Sequence, residues 1–260
     1  MAKFNAYVTS LGLKNSAGAA LTSDNMIEEL RQELVTSAEA YMAAGNSIPN
    51  LGEVMSWAAG NYGSSAGSYT NDFIAVDNSA AKVLSIDMSR YLVFLATQAT
   101  LKPAPAFDEA GLTITGGTAE SALFGTSAQA YSNFTEYSWD NNDTAGDGSG
   151  LDDTGLTWAQ YSALSTTLVV KQANLINPMH FIGTSTGTRA PYWYIRHGTR
   201  DRDTAPLVSL NLARALKADS AVKDLNYRLA WGQPHGEGYD VPEAMTWITK
   251  ILTDAKAKGI

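Results

Sequence analysis

Two carboxylates and one histidine directly follow the two best strand candidates near the C-terminal end of the chain. A strand predicted over residues 192–197 runs into a glycine-containing turn, and Asp201 and Asp203 come immediately after it. A second strand, predicted over residues 225–231, ends in a loop that carries His235 between a proline and a glycine. An imidazole on such a loop can exchange protons, and a neighbouring carboxylate can hold it in one tautomer. The pattern therefore indicates acid–base chemistry.

The order strand, Asp, helix, strand, His is the one in which α/β-hydrolases supply the last two members of a Ser-Asp-His triad. On this interpretation Asp201 orients the imidazole and His235 is the general base. The alternative is structural, because Asp is common at helix N-termini and in surface turns. Asp203 could likewise cap the helix predicted from residue 204. We expect a structural role for His197, which precedes the glycine at the end of the first strand.

The sequence lacks a convincing serine nucleophile to complete such a triad. Residues 183–187 match the pattern G-x-S-x-G around Ser185. A nucleophile elbow needs a strand that leads into the serine and a helix that leaves it. Here the next predicted element is the strand at 192–197. The segment between Ser185 and Asp201 is too short to hold an elbow helix and a further strand. We therefore predict that Ser185 is a loop residue, and a self-sufficient hydrolase that uses Ser185 remains the alternative.

The elements that must position these side chains belong to an α/β protein whose strands are concentrated near the C-terminus. Strand–helix alternation of this kind builds a parallel sheet. The stretches 45–80 and 103–155 are predicted to be irregular and loop-rich. Helices are predicted over residues 24–45, 88–100, 156–175, 204–218 and 241–255 from their apolar spacing.

Composition excludes several functional classes. The net charge is −8. A surface that binds a phosphate backbone needs clustered Lys and Arg side chains, so we expect no nucleic-acid partner. The absence of cysteine rules out thiol nucleophiles and thiolate metal sites. No stretch approaches the roughly 20 apolar residues of a membrane span. The acidic run 140–150 does not match the ligand spacing of an EF-hand, so we predict no metal and no cofactor. Nothing indicates a compartment.

Three C-terminal segments, which begin at residues 177, 190 and 227, resemble bacterial tannases and the related feruloyl-esterase-like carboxylesterases. The resemblance is most specific at residues 190–203 and 227–240, and it is looser at 6–13, 102–108 and 123–125. It extends over nearly the whole chain. The resemblance implies a partial α/β-hydrolase, in which residues 177–260 form the last strands and helices of the core. Residues 1–176 would form a large, mainly helical and loop-rich lid domain.

The resemblance also implies roles for individual residues. Asp201 and His235 match the triad Asp and His, Asp203 matches the residue that binds phenolic hydroxyls in tannases, and Glu136 is the candidate for a lid glutamate with the same role. A lid lysine that helps to hold the galloyl ring in that family has no identified counterpart here, which leaves simpler aromatic esters open as substrates.

The nucleophile elbow and oxyanion hole of that family lie in an N-terminal half that has no match in these 260 residues. We therefore expect a serine esterase of aromatic (phenolic) acid esters whose N-terminal α/β-hydrolase half is a second chain. The alternative from a different class is a non-catalytic module that binds aromatic or glycosylated ligands.

Overall fold

The computed structural model describes residues 2–60, 65–98, 107–108, 117–142, 150–185, 187–236 and 238–257. The first hundred residues carry three helices and four short strands: α1 (Ala2–Ser10), α2 (Met26–Ala43), β1 (Val54–Trp57), β2 (Gly67–Thr70), β3 (Ile74–Asp77), β4 (Lys82–Ile86) and α3 (Met88–Gln98). Short helices follow: α4 (Ala119–Ala122), α5 (Glu136–Asn141), α6 (Leu151–Thr154), α7 (Trp158–Ser162), α8 (Val169–Ile176) and a 3₁₀ turn (Pro178–His180). The last elements are β5 (Tyr192–Gly198), α9 (Pro206–Ala218), β6 (Asp224–Ala230) and α10 (Val241–Ala257).

The chain forms two compact units. One contains residues 1–101 together with 188–260, and the other contains residues 102–187. These units do not follow the expected boundary between residues 176 and 177, because α2 packs directly on β6 and α9. The early helices are thus part of the same core as the C-terminal strands.

The core of the first unit is built around α2. Apolar side chains on one face of this helix recur every four residues, so that they lie along a single stripe. The buried members of this stripe are Met26, Leu30, Leu34, Ala38 and Met42. The same core contains the ring of Phe73, which directly precedes β3, aromatic rings of α3, and the side chains of Leu210 in α9 and Leu229 in β6. Ile27, one residue after the start of this stripe at Met26, is exposed.

Two polar links tie α2 to the C-terminal elements. The hydroxyl of Ser37 donates a buried hydrogen bond of 2.6 Å to the carbonyl oxygen of Leu229. The buried carboxylate of Glu29 pairs with Arg214 of α9, and it also accepts hydrogen bonds from the backbone and the hydroxyl of Ser16. A buried charge is tolerated only with such partners, so these contacts fix how α2 sits on α9 and β6.

The stretch 45–80 was predicted to be irregular, and that prediction was wrong. β1 pairs with β2 and β3 pairs with β4, in both cases antiparallel. The strands are only four or five residues long and one of them begins with a glycine, so their alternation is too brief to be recognised from the sequence. In the part of the chain that the structure describes, neither pair joins the sheet of β5 and β6.

The C-terminal strands agree with their prediction. β5 and β6 run parallel in continuous register from the pair Tyr192 and Asp224 to the pair Gly198 and Ala230, and α9 connects them. A parallel pair requires such a crossover. Consequently, both strands end at the same edge, and the loops that carry the predicted acid and base start side by side.

The second unit is held by aromatic and polar contacts. The fully buried Trp139 stacks on Tyr161 with ring centroids 4.0 Å apart, and its indole nitrogen donates to the carbonyl of Leu156. The single helix predicted over 156–175 was wrong, because α7 ends at Ser162 and α8 begins only at Val169. Residues 143–149 of the acidic run lie outside the described residues. Where the structure is described, none of the helices is long and apolar enough to cross a membrane.

Candidate active site

The loops after β5 and β6 are fastened to each other by backbone hydrogen bonds. The amide of Thr199 donates to the carbonyl of Ala230 (3.0 Å), and the amide of Arg200 donates to the carbonyl of Gln233 (3.0 Å). In the opposite direction, the amide of Gly232 donates to the hydroxyl of Thr199 (2.8 Å). These hydrogen bonds link the two loops that carry the predicted acid and base.

The side chain of Arg200 adds a further clamp between these loops. Its Nε donates to the carbonyl of Gly232 (2.7 Å), its Nη1 donates to Gln98 (3.0 Å), and its guanidinium lies over the ring of Trp57. Burial lowers the pKa of Arg200 to about 10, so it stays protonated at neutral pH. Sequence reasoning missed this role, since the residues it joins are far apart along the chain.

Gly198 allows the close approach of the second loop. A methyl group at this position would lie 2.2 Å from the carbonyl oxygen of Gln233 and 2.5 Å from that of Pro234. Both neighbours are backbone atoms, which cannot rotate away as a flexible side chain can. Any side chain at this position would therefore collide with the backbone of the second loop.

We expect Gly198→Ala to lower the free energy of unfolding by about 1–3 kcal/mol, the usual cost of overpacking. Urea unfolding followed by circular dichroism would measure it. Gly187→Ala is a matched control, because a methyl group there meets no atom within 4 Å. Equal stability of the two variants would contradict the proposed close contact.

The predicted acid and base are hydrogen-bonded. Nδ1 of His235 lies 3.0 Å from Oδ2 of Asp201. Asp201 is buried, whereas half of the His235 side chain is exposed. The other carboxylate oxygen of Asp201 accepts the amides of Asp203 (2.8 Å) and Thr204 (3.0 Å). A carboxylate fixed in this way holds a proton on Nδ1 and leaves Nε2 free to accept one.

Two tyrosines that the sequence did not single out lie close to this carboxylate. Burial, reinforced by the charge of Asp201, raises the pKa of Tyr239 to about 12. The same two causes raise the pKa of Tyr91, whose buried hydroxyl donates to the carbonyl of Thr199 (3.0 Å). Both phenols are therefore neutral hydrogen-bonding groups beside the acid.

Asp203 completes the cluster. Atoms of Asp201, Asp203 and His235 that could bind a metal lie within 4.8 Å of one another. However, both oxygens of Asp201 already accept hydrogen bonds, and Asp203 forms an ion pair with Arg202 at 3.2 Å. A metal ion would have to compete with these contacts. The geometry therefore fits a hydrogen-bonded acid–base pair with a second carboxylate beside it.

The two other predicted residues lie in the second compact unit. Glu136 is exposed in the first turn of α5, which Thr135 caps through its hydroxyl. Ser185 is exposed on a bend that follows the 3₁₀ turn Pro178–His180 and precedes β5. The elements on either side of Ser185 are not the strand and helix of a nucleophile elbow.

No model of a known protein family matches the chain, and no curated protein matches it. Solved structures do match. A tannase from Lactobacillus plantarum superposes on 96% of the chain with a TM-score of 0.68 and 25% identity. The chain resembles bacterial tannases.

Two further structures extend this resemblance. A tannase from Fusobacterium nucleatum matches 95% of the chain with a TM-score of 0.65 and 25% identity. A tannin acyl hydrolase in complex with ethyl gallate matches 96% with a TM-score of 0.66 and 25% identity. The matched region is 44% of the Lactobacillus plantarum and Fusobacterium nucleatum tannase chains and 45% of the gallate complex. The tannase-like chain thus spans less than half the length of the structures it matches.

Proposed function

We propose that the chain is part of a serine carboxylic ester hydrolase that acts on esters of phenolic acids. The observation that carries this proposal is the Asp201–His235 pair at the shared edge of two parallel strands, in a chain that resembles tannases along 96% of its length. The proposed fold is a partial α/β-hydrolase in which β5, α9, β6 and α10 are the last elements of the core. We propose that the lid lies within residues 1–176, in the part that belongs to the second compact unit.

In the proposed mechanism Asp201 and His235 act on a serine hydroxyl. Nε2 of His235 takes the hydroxyl proton as the oxygen attacks the ester carbonyl, and it then returns that proton to the departing alcohol. Asp201 keeps Nδ1 protonated and stabilises the imidazolium that forms. The half-exposed ring of His235 suits this role, because a fully buried base could not reach a substrate.

We propose that the acid part of the substrate carries phenolic hydroxyls and that Asp203 binds them. A carboxylate accepts hydrogen bonds from such hydroxyls, and Asp203 lies next to the acid–base pair. The names of two matched structures support this substrate class, since they are complexes with ethyl gallate and with 3,4-dihydroxybenzoate. Glu136 is proposed to contribute a second carboxylate from the lid.

The nucleophile is proposed to come from polypeptide outside these 260 residues, as a separate N-terminal α/β-hydrolase chain. Ser185 lacks the local structure of an elbow, and β5 has β6 as its sole strand partner in the described part of the chain. α10 also exposes four apolar side chains along one stripe, at Val241, Met245, Ile248 and Leu252. An open strand edge and an apolar helix stripe are features that an obligate partner covers.

Labelling of the native material with a fluorophosphonate, followed by peptide mapping, tests this proposal. We expect the label on a serine of a co-purifying chain. A label on Ser185 would overturn the two-chain proposal and make the chain a self-sufficient hydrolase. Absence of any label, together with binding of gallate, would overturn the proposed catalysis and favour a module that binds aromatic ligands.

A further inference from the structure

A second imidazole lies against the acid of the proposed pair. His197, at the end of β5, is only 6% exposed, and its Nε2 lies 3.6 Å from Oδ2 of Asp201. The same oxygen is 3.0 Å from Nδ1 of His235. Nε2 of His197 is buried, and the described residues offer it no hydrogen-bond partner. A buried polar atom in this state requires an explanation, because unsatisfied groups are costly.

The surroundings of His197 indicate why Nε2 is unpaired. The ring also makes a hydrogen bond with the backbone of Thr204, and a neutral imidazole has one N–H to give. When the ring donates that proton to the backbone of Thr204, Nε2 carries a lone pair that points at Oδ2 of Asp201. Two acceptors do not bond, and the carboxylate oxygen is left to His235.

Protonation would change this arrangement. An imidazolium donates through both nitrogens, so Nε2 would gain a proton directed at Oδ2 of Asp201. Burial lowers the pKa of His197, the charge of Asp201 opposes that effect, and the charge of His235 adds to it. Tyr91 and Tyr239 also face Asp201, but their raised pKa values keep them neutral over this range.

We propose that His197 is a positioning residue that leaves Asp201 to His235 when neutral and competes with His235 for Oδ2 of Asp201 when protonated. This inference deepens the proposed function, on which it rests, by adding an acid-sensitive partner to the same pair. In the esterase it would make activity fall more steeply at low pH than one titrating histidine can.

The test uses the 260-residue chain alone and needs no activity. The chain has three histidines, at 180, 197 and 235, so ¹⁵N-labelled imidazole signals can be followed individually by NMR from pH 8.5 to 4.5. We expect the imidazole signals of His235 to change in two steps, with the second step at the pH where His197 takes its proton, because both rings lie against the same carboxylate oxygen. In His197→Gln we expect the second step to be lost.

His180→Gln is the matched control, because it removes the third imidazole of the chain by the same substitution, and it should leave both steps unchanged. A single step for His235 in the wild-type chain would overturn the inference without any variant. Persistence of the second step in a folded His197→Gln chain would overturn it as well. Neither result bears on whether a serine is labelled, so failure here is distinct from failure of the proposed function.

Discussion

Replacing Asp201 with Asn is expected to lower kcat of the proposed esterase by about 10⁴-fold, the order of magnitude found when a triad Asp becomes an amide. The amide would donate to Nδ1 of His235 where the carboxylate now accepts, and so would stabilise the wrong tautomer. Steady-state hydrolysis of ethyl gallate by the native assembly, with this chain exchanged for the variant, would measure it. KM should change little, because Asp201 is buried.

Asp203→Asn is the matched comparison, since it removes a neighbouring carboxylate charge without altering the tautomer of His235. We expect it to raise KM for a trihydroxybenzoate ester and to leave KM for an unsubstituted benzoate ester almost unchanged. The loss of a charged hydrogen bond of about 1.5–3 kcal/mol corresponds to an effect of roughly tenfold to a hundredfold. If Asp201→Asn kept most of its kcat, the assignment of the acid would be wrong.

The acid and base could be predicted because their signals are local. Each follows an apolar strand directly, and parallel strands end at the same edge of a sheet. The observed contact between Asp201 and His235 is the arrangement that this spacing predicts. Their catalytic roles remain predictions, and so do the binding roles of Asp203 and Glu136.

The supports of the site could not be predicted in the same way. Arg200 is held by Gln98, Gly232 and Trp57, which lie far from it in the sequence. No periodicity encodes such long-range contacts. His197 was predicted to have a structural role, because the position of its Nε2 beside Asp201 depends on how the turn after β5 folds back.

The division of the chain was the least predictable feature of the fold. The helical pattern of α2 was visible, but the element that covers its apolar face was not. The structure brings α9 and β6 against it, although both come more than 160 residues later. Neither composition nor local spacing indicates that segments so far apart in the chain pack together. The antiparallel strand pairs over residues 54–86 could not be recognised from the sequence, because their strands are too short.

The ion pair between Glu29 and Arg214 provides the strongest test of this packing. Arg214→Met is expected to lower the free energy of unfolding of the first unit by about 3–5 kcal/mol, because it leaves a buried charge without its partner. Glu29 is 2% exposed, and the hydrogen bonds from Ser16 that remain would not neutralise it. Urea unfolding at pH 7.5 would measure the loss.

A double variant separates the charge from the packing. Glu29→Gln combined with Arg214→Met removes both charges, so most of the lost stability should return, and the double-mutant cycle should show strong coupling. Arg31→Met is the surface control, since Arg31 pairs with Glu28 on the exposed side of α2 and such pairs contribute about 0.5 kcal/mol or less. If Arg214→Met were as mild as Arg31→Met, residues 1–101 would not depend on the C-terminal elements, and the expected boundary between residues 176 and 177 would be favoured over the division into residues 1–101 with 188–260 and residues 102–187.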